Sequence, residues 1–424
     1  MSIAINPTPY YIPERSMSNV KRYALFFCIL LMSALVFLSD DHRYGFAFLR
    51  ELMAGLSILA FFYLLIFERA RLETTDFYLL ILAIMTFLVP SLFSYFALGQ
   101  PLYLGISEER RTLAYFFFFL GLLVIGQAKY SPQQIERTLL VLFWLGLLWS
   151  IGCAYGIVPR NDALFFSVNQ EHFQEGYVTD DTRFETRFLN GYILIFLYPL
   201  YLLARHETAK GMLYFIPVAL YMFFINQTRS LGAVLTISVF ALLFFRSQKP
   251  STIISIAVAV PIICFVGYLM YYGYAYATDQ PVLFYDEYRN LEFSVLFRDA
   301  VKDFFLPHGN LSLHFGDRGF REHFGIGINV YTADIGLVGA LYKYGVFYPF
   351  LLAMTMLISI LLYRKYNNEF SLMLLAYMMG TCVLMPFDDH LSNFANCFAI
   401  LLLLSRVQSD NNSGKKYLLA VRNI

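Results

Sequence analysis

Apolar runs recur along most of this chain, many of them close to the 20 or so residues that cross a bilayer as a helix. Cutting the sequence at its polar interruptions gives about twelve spans, near 22–39, 46–67, 76–97, 112–128, 137–155, 188–204, 211–227, 231–245, 252–272, 335–362, 370–386 and 392–405. Composition agrees, because 14% of the residues are charged, against about 25% in an ordinary soluble domain. The expected fold is an all-α polytopic membrane protein.

Several function classes fall away at once. The formal net charge is +1, so no global field points to nucleic acid. Cys28, Cys153, Cys264, Cys382 and Cys397 lie in or beside apolar runs, without CxxC or ligand spacing to histidine, and read as small hydrophobic residues of helices. Asp388-Asp389-His390 has a metal-like look, but three adjacent residues cannot all face one ion, and a charged cap on a helix hairpin is the simpler reading. No metal and no cofactor are expected. Residues 1–20 are polar and Lys21-Arg22 lead into an apolar run with no small-residue cleavage site, which predicts a retained first helix.

Short cytoplasmic loops collect Lys and Arg. With the N-terminus inside, the inner segments hold Lys21/Arg22, Arg69/Arg71, Lys129/Arg137, Arg205/Lys210, Arg246/Lys249, Arg364/Lys365 and Lys415/Lys416, all positive. The outer segments are mixed or acidic. The expected organisation is a cytoplasmic segment 1–21, helices over 22–272 with a periplasmic loop 156–187, a large periplasmic loop 273–334, helices over 335–405 and a cytoplasmic tail 406–424. Both termini would then be cytoplasmic. Pro90 is expected to kink the third span, and Arg50-Glu51 near the outer end of the second needs a mutual pair or a cavity.

The candidate chemistry lies on the outer side. Arg229, in Thr228-Arg229-Ser230 between two spans, sits at the membrane surface, where a guanidinium can hold a phosphate bidentately; the plainer alternative is a snorkelling helix-end arginine. Arg183 and Arg187 stand at i, i+4 before a span, facing a lipid diphosphate or else neutralised by Asp180, Asp181 and Glu185. The loop 273–334 holds Arg298, Pro307 and Gly309, the histidines His308, His314 and His323, and closes on Thr332-Ala333-Asp334. A loop of that length is functional or disordered. Within it, residues 285–298 predict an amphipathic helix with Tyr288, Leu291, Val295 and Phe297 near one side, suited to the membrane interface or to a small covering subdomain. Asp334, at the mouth of a span, is an ionisable candidate by position.

Thr228-Arg229-Ser230 opening a span, then a long outer loop with Arg298, Pro307 and Gly309, then Asp334-Ile335-Gly336-Leu337-Val338-Gly339 before Lys343-Tyr344-Gly345, resembles the bacterial O-antigen ligase and polymerase superfamily. The resemblance covers about residues 180–350 by motif and the whole chain by topology. It implies a GT-C-like, metal-independent glycosyltransferase of the inner membrane with a periplasmic active face. The donor would be a glycan on undecaprenyl diphosphate, with Arg183, Arg187, Arg229 and Arg298 binding the diphosphate, where fixed guanidinium groups stabilise charge building on the leaving group. A general base would take the acceptor proton. Ligases of the group carry a His and a small polar residue before the exit helix, where this chain has Tyr331-Thr332-Ala333-Asp334. The departure favours the polymerase branch, which joins repeat units of O-antigen, capsule or exopolysaccharide, with Asp334 as catalytic candidate beside Arg298 and Arg229, and His323, His314 or His308 as substitute bases. A ligase onto lipid A core is the nearest alternative, and a flippase of lipid-linked oligosaccharide is the alternative of another class. A chain-length regulator and a flippase are the expected protein partners.

Overall fold

The computed structural model describes residues 14–33, 49–110, 112–125, 130–154, 192–222, 229–283, 285–312, 332, 335–387 and 390–421. Among the described residues the protein is helical, with no strand. The first eight helices are α1 (Glu14–Met32), α2 (Leu49–Phe67), α3 (Thr74–Leu98), α4 (Leu102–Glu108), α5 (Phe117–Ile125), α6 (Pro132–Ala154), α7 (Tyr192–Ala204) and α8 (Thr208–Leu220). They are followed by α9 (Arg229–Phe245), α10 (Pro250–Ala277), α11 (Glu287–Lys302), α12 (Gly336–Tyr344), α13 (Phe347–Tyr366), α14 (Glu369–Val383) and α15 (His390–Val421). Five of them, α2, α3, α6, α10 and α13, are long and apolar enough to cross a membrane. This is the architecture of a helical membrane protein.

Local chemistry explains where several helices begin. A reciprocal capping box between Glu73 and Asp76 starts α3, and Asn368 with Ser371 does the same for α14. Pro250 opens α10 where its missing N–H costs nothing. The fourth apolar run starts as a 3-10 turn, Thr112–Phe116, before becoming α5.

Two expected boundaries are corrected. The helix expected to stop at 272 continues as α10 to Ala277. The run 335–362 is not one span: α12 and α13 part at Gly345, where φ is 55°. Val346 N–H donates to the Phe305 carbonyl at 2.8 Å instead of to the preceding turn, and a Cβ at Gly345 would overlap that carbonyl and lie 2.6 Å from Pro307 N. A tertiary contact, invisible to hydropathy, breaks the helix.

Helix α14 is the hub, packed on α7, α9, α10, α13 and α15. Its closest approach is to α9, where a Cβ on Gly380 would lie 2.6 Å from the Val234 carbonyl and 2.8 Å from Ser238 Oγ. Helices in lipid gain from such close backbone contact, because apolar burial drives little there. Helix α5 bridges α1, α2 and α15 in the other half.

At one end of the bundle the cations pair with carboxylates, of which Asp76 is buried and Glu73, Glu68 and Glu136 are partly exposed. Arg406 Nη1 meets Asp76 Oδ2 at 2.8 Å, Arg406 Nη2 meets Glu73 Oε1 at 3.0 Å, Lys365 Nζ reaches Glu73 Oε1 at 2.8 Å and Tyr366 donates to Glu73 at 2.7 Å. Arg71 pairs with Glu68 and donates to the Leu122 carbonyl. Glu136 holds Arg205 at 2.6 Å and Lys210 at 2.8 Å, and Arg246 donates to His206 and Thr208. Tyr201 stacked on Phe370 joins the two groups. Burial pushes the Glu73 carboxyl up, but Arg406, Lys365 and Tyr366 outweigh it and leave it below its ordinary value of 4.5. Glu73 therefore adds stability above pH 4.5 and loses it as pH falls through the lowered value. Thermal unfolding against pH should show a steeper acid limb for the wild type than for Glu73→Gln.

Candidate functional site on the cap end

The opposite end of the bundle is closed by a cap made of α11, the segment 303–312 and α12. Helix α11 forms because Asp286 caps it, its carboxylate accepting Arg289 N–H at 2.8 Å. Its buried face is Glu292, Phe293, Leu296, Phe297 and Ala300, at helical spacing, with Val295 buried at its edge. Phe293 stacks on Phe297 and both lie against Tyr272 of α10. The expected grouping of Tyr288, Leu291, Val295 and Phe297 does not hold: Val295 and Phe297 are buried, while Tyr288 and Leu291 are exposed. The stripe runs one position away because the aromatic cluster around Tyr272 takes Phe293.

A tyrosine ties the start of α11 to α10 and to the turns that follow α14 and precede α12. Tyr285 Oη lies 2.9 Å from Tyr272 Oη, 2.8 Å from the Pro386 carbonyl and 3.1 Å from the Ile335 carbonyl. With one proton per hydroxyl, Tyr272 donates to Tyr285, which donates to the carbonyls. Burial holds the Tyr285 hydroxyl protonated, above its ordinary range.

The segment 303–312 caps α12 and fills a notch in α3. His308 and Gly309 N–H groups donate to the Tyr342 and Lys343 carbonyls at 3.0 and 3.1 Å, satisfying the end of α12. Pro90 leaves the Thr86 carbonyl without its helical donor, and the Tyr344 hydroxyl approaches that carbonyl at 3.4 Å. Gly309, with φ 78°, lies against the same notch, where a Cβ would overlap the Pro90 carbonyl. Gln100 clamps the next residues: its amide donates to the Asn310 carbonyl at 3.1 Å and its oxygen accepts Ser312 N–H at 2.6 Å. Below the cap, Lys343 Nζ meets Glu109 Oε2 at 2.8 Å, both side chains buried. In the exit motif, a Cβ on Gly339 would overlap the Thr332 carbonyl, so this glycine serves close backbone packing.

The expected site residues divide as follows. Arg298 is on the outward face of α11, its side chain 56% exposed, with Nε 3.2 Å from Asp299 Oδ1. His308 is buried, stacked on Tyr342 at 4.4 Å, with Nε2 2.8 Å from Asp303 Oδ2. These contacts make His308 a staple between α11 and α12. Arg298 and His308 thus meet the same acidic edge of α11, Asp299 and Asp303. Arg229 is the first residue of α9, and its side chain lies outside the described residues. Arg183, Arg187, His314, His323 and Asp334 also lie outside the described residues.

Sequence reasoning passed over Lys302 as a site residue. It is exposed four residues after Arg298, on the same face. That i, i+4 spacing was the signal. Chemically, a guanidinium fork and an ammonium on one outward face suit phosphate oxygens, which one arginine can hold bidentately. Comparison with protein-family models, curated proteins and solved structures finds no match for this chain.

Proposed function

We propose that this protein is a polysaccharide repeat-unit polymerase, transferring a glycan from undecaprenyl diphosphate to the hydroxyl of another lipid-linked unit. The observation that carries the reading is Arg298: a helical cap pinned by Tyr285 and Gln100 holds this arginine outward on a rigid element, beside Lys302. A guanidinium held in place by a rigid element stabilises charge as it develops on a departing diphosphate. In this reading the five long and seven shorter apolar helices are the twelve crossings. The paired cations Arg71, Arg205, Lys210, Arg246 and Lys365 form the cytoplasmic end, and the cap is periplasmic. Arg229 at the start of α9 joins Arg298 in binding diphosphate, and Asp334 handles the acceptor. Asp76 lies in the first turn of α3 and Lys343 in the last turn of α12, placements that disfavour a transporter with charges at the midplane.

Purified protein incubated with a synthetic lipid-diphosphate repeat unit should yield longer glycan and free undecaprenyl diphosphate. Arg298→Ala and Arg229→Ala should each lower that release by about 10²–10³-fold, as loss of one fixed charge-stabilising donor does. Full glycan length in cells carrying either variant, at normal protein levels, sinks the assignment. A core left bare of glycan after gene disruption, in place of single units, would favour the ligase.

A further inference from the structure

The chain strains its backbone at the cap to hold an aromatic ring in the open. Helix α11 ends in a Schellman motif, with Phe304 N–H donating to the Val301 carbonyl at 3.1 Å and Phe305 N–H to the Ala300 carbonyl at 2.6 Å. The left-handed residue of that motif is usually glycine. Here it is Phe304, with φ 54°, followed by Phe305 with φ 55°. Bulky residues rarely adopt this region, and such outliers collect where a function needs them. Packing does not explain Phe304, whose side chain is 86% exposed, nor Leu306 at 57%.

The position of this turn along the bundle can be fixed. Phe305 bonds to Val346 N–H, and the next residue begins α13. Helix α13 has 20 residues, about 30 Å at 1.5 Å per residue, which matches the hydrocarbon thickness of a bilayer. Its far end carries Arg364 and Lys365. The turn therefore sits where hydrocarbon gives way to headgroups. Exposed Val346 and Phe350, one helical turn apart, continue the apolar surface from the turn down α13. On the other side stand the exposed cations Arg298 and Lys302. Apolar wedge residues beside cations are the chemistry of an anionic lipid surface.

We infer that the 303–306 turn inserts Phe304 and Leu306 among the phospholipid headgroups of the adjoining leaflet, seating α11 on the bilayer with Arg298 and Lys302 at phosphate level. The seat depends on the membrane embedding of the helices and not on the reaction proposed above.

The test is optical. Trp144 and Trp149 are replaced by Phe, and Phe304→Trp becomes the single reporter in lipid nanodiscs of phosphatidylcholine and phosphatidylglycerol. The expected result is blue-shifted emission that loses most of its intensity to lipids brominated near the headgroup end of the acyl chain, and little to aqueous iodide. Water-like emission quenched fully by iodide overturns the inference. So does emission insensitive to both quenchers, which would mean that protein, a partner or a second copy, covers the turn. Leu306→Trp, read in the same way, keeps the test valid if Phe304→Trp alters the turn. Neither readout needs enzymatic activity, so a dead polymerase assay and a failed wedge are told apart.

Discussion

Lys343→Met should destabilise the cap end by about 3–5 kcal/mol, the range expected when one partner of a buried ion pair is removed. The Glu109 and Lys343 side chains are 1% and 4% exposed and 2.8 Å apart. Glu109 would lose the ammonium beside it while staying buried, and a buried carboxylate is costly to desolvate. Lys343 also lies 4.9 Å from the Tyr344 ring centre, and its carbonyl receives Gly309 N–H, so the lost charge would loosen the seam between α12 and the 303–312 segment. Removing both charges should cost far less, because a buried pair often exchanges for apolar or neutral groups at little net loss. Thermal unfolding in detergent of Lys343→Met, Glu109→Gln and the double variant forms the cycle. The double variant should recover most of the loss, with trypsin sensitivity of 287–312 restored toward wild type. Strict additivity of the two single losses would show that the charges are not coupled.

Much of this architecture is legible in the sequence, and what is not has one common cause. Hydropathy finds a spanning helix because lipid demands about 20 apolar residues in a row, so α2 and α3 were legible to within a few residues. The apolar spacing within 285–298 likewise announced α11. Partner choice leaves no local trace. Nothing near Lys343 indicates that its counter-ion is Glu109, 234 positions earlier, and nothing in 335–362 indicates that Phe305 will claim the Val346 N–H and split the run. The face of α11 was misjudged for the same reason, since Tyr272 on another helix decides which aromatic residues are buried. For the candidate site, Arg298 was legible as an outward cation on a loop helix. His308 was not legible as a staple, because its ring partner Tyr342 comes from α12, 34 positions along the chain, and Asp303 reaches it only through the turn that ends α11.

Gly309→Ala should destabilise the protein by more than about 3 kcal/mol, a loss that places it among backbone-clash substitutions and not among ordinary surface changes. Two effects add. At φ 78° any side chain is strained, and the new Cβ would overlap the Pro90 carbonyl while lying 2.5 Å from Ser94 N and 2.8 Å from Ser94 Cβ. Those neighbours are mostly backbone of a proline-containing helix and cannot rotate away. The 303–312 segment would have to lift from α3, releasing the Gly309 and His308 bonds to the end of α12 and the Gln100 clamp on Asn310 and Ser312. Gly267→Ala in α10 is the matched contrast. It has no heavy atom within 4 Å of the added Cβ and sits in a helix interior, where alanine is favoured over glycine by roughly 0.5–1 kcal/mol. The same chemical change should therefore lower the unfolding temperature at 309 and raise it slightly at 267. If Gly309→Ala melts with wild type, the segment does not lie in the Pro90 notch, and the cap that presents Arg298 is not fixed to α3.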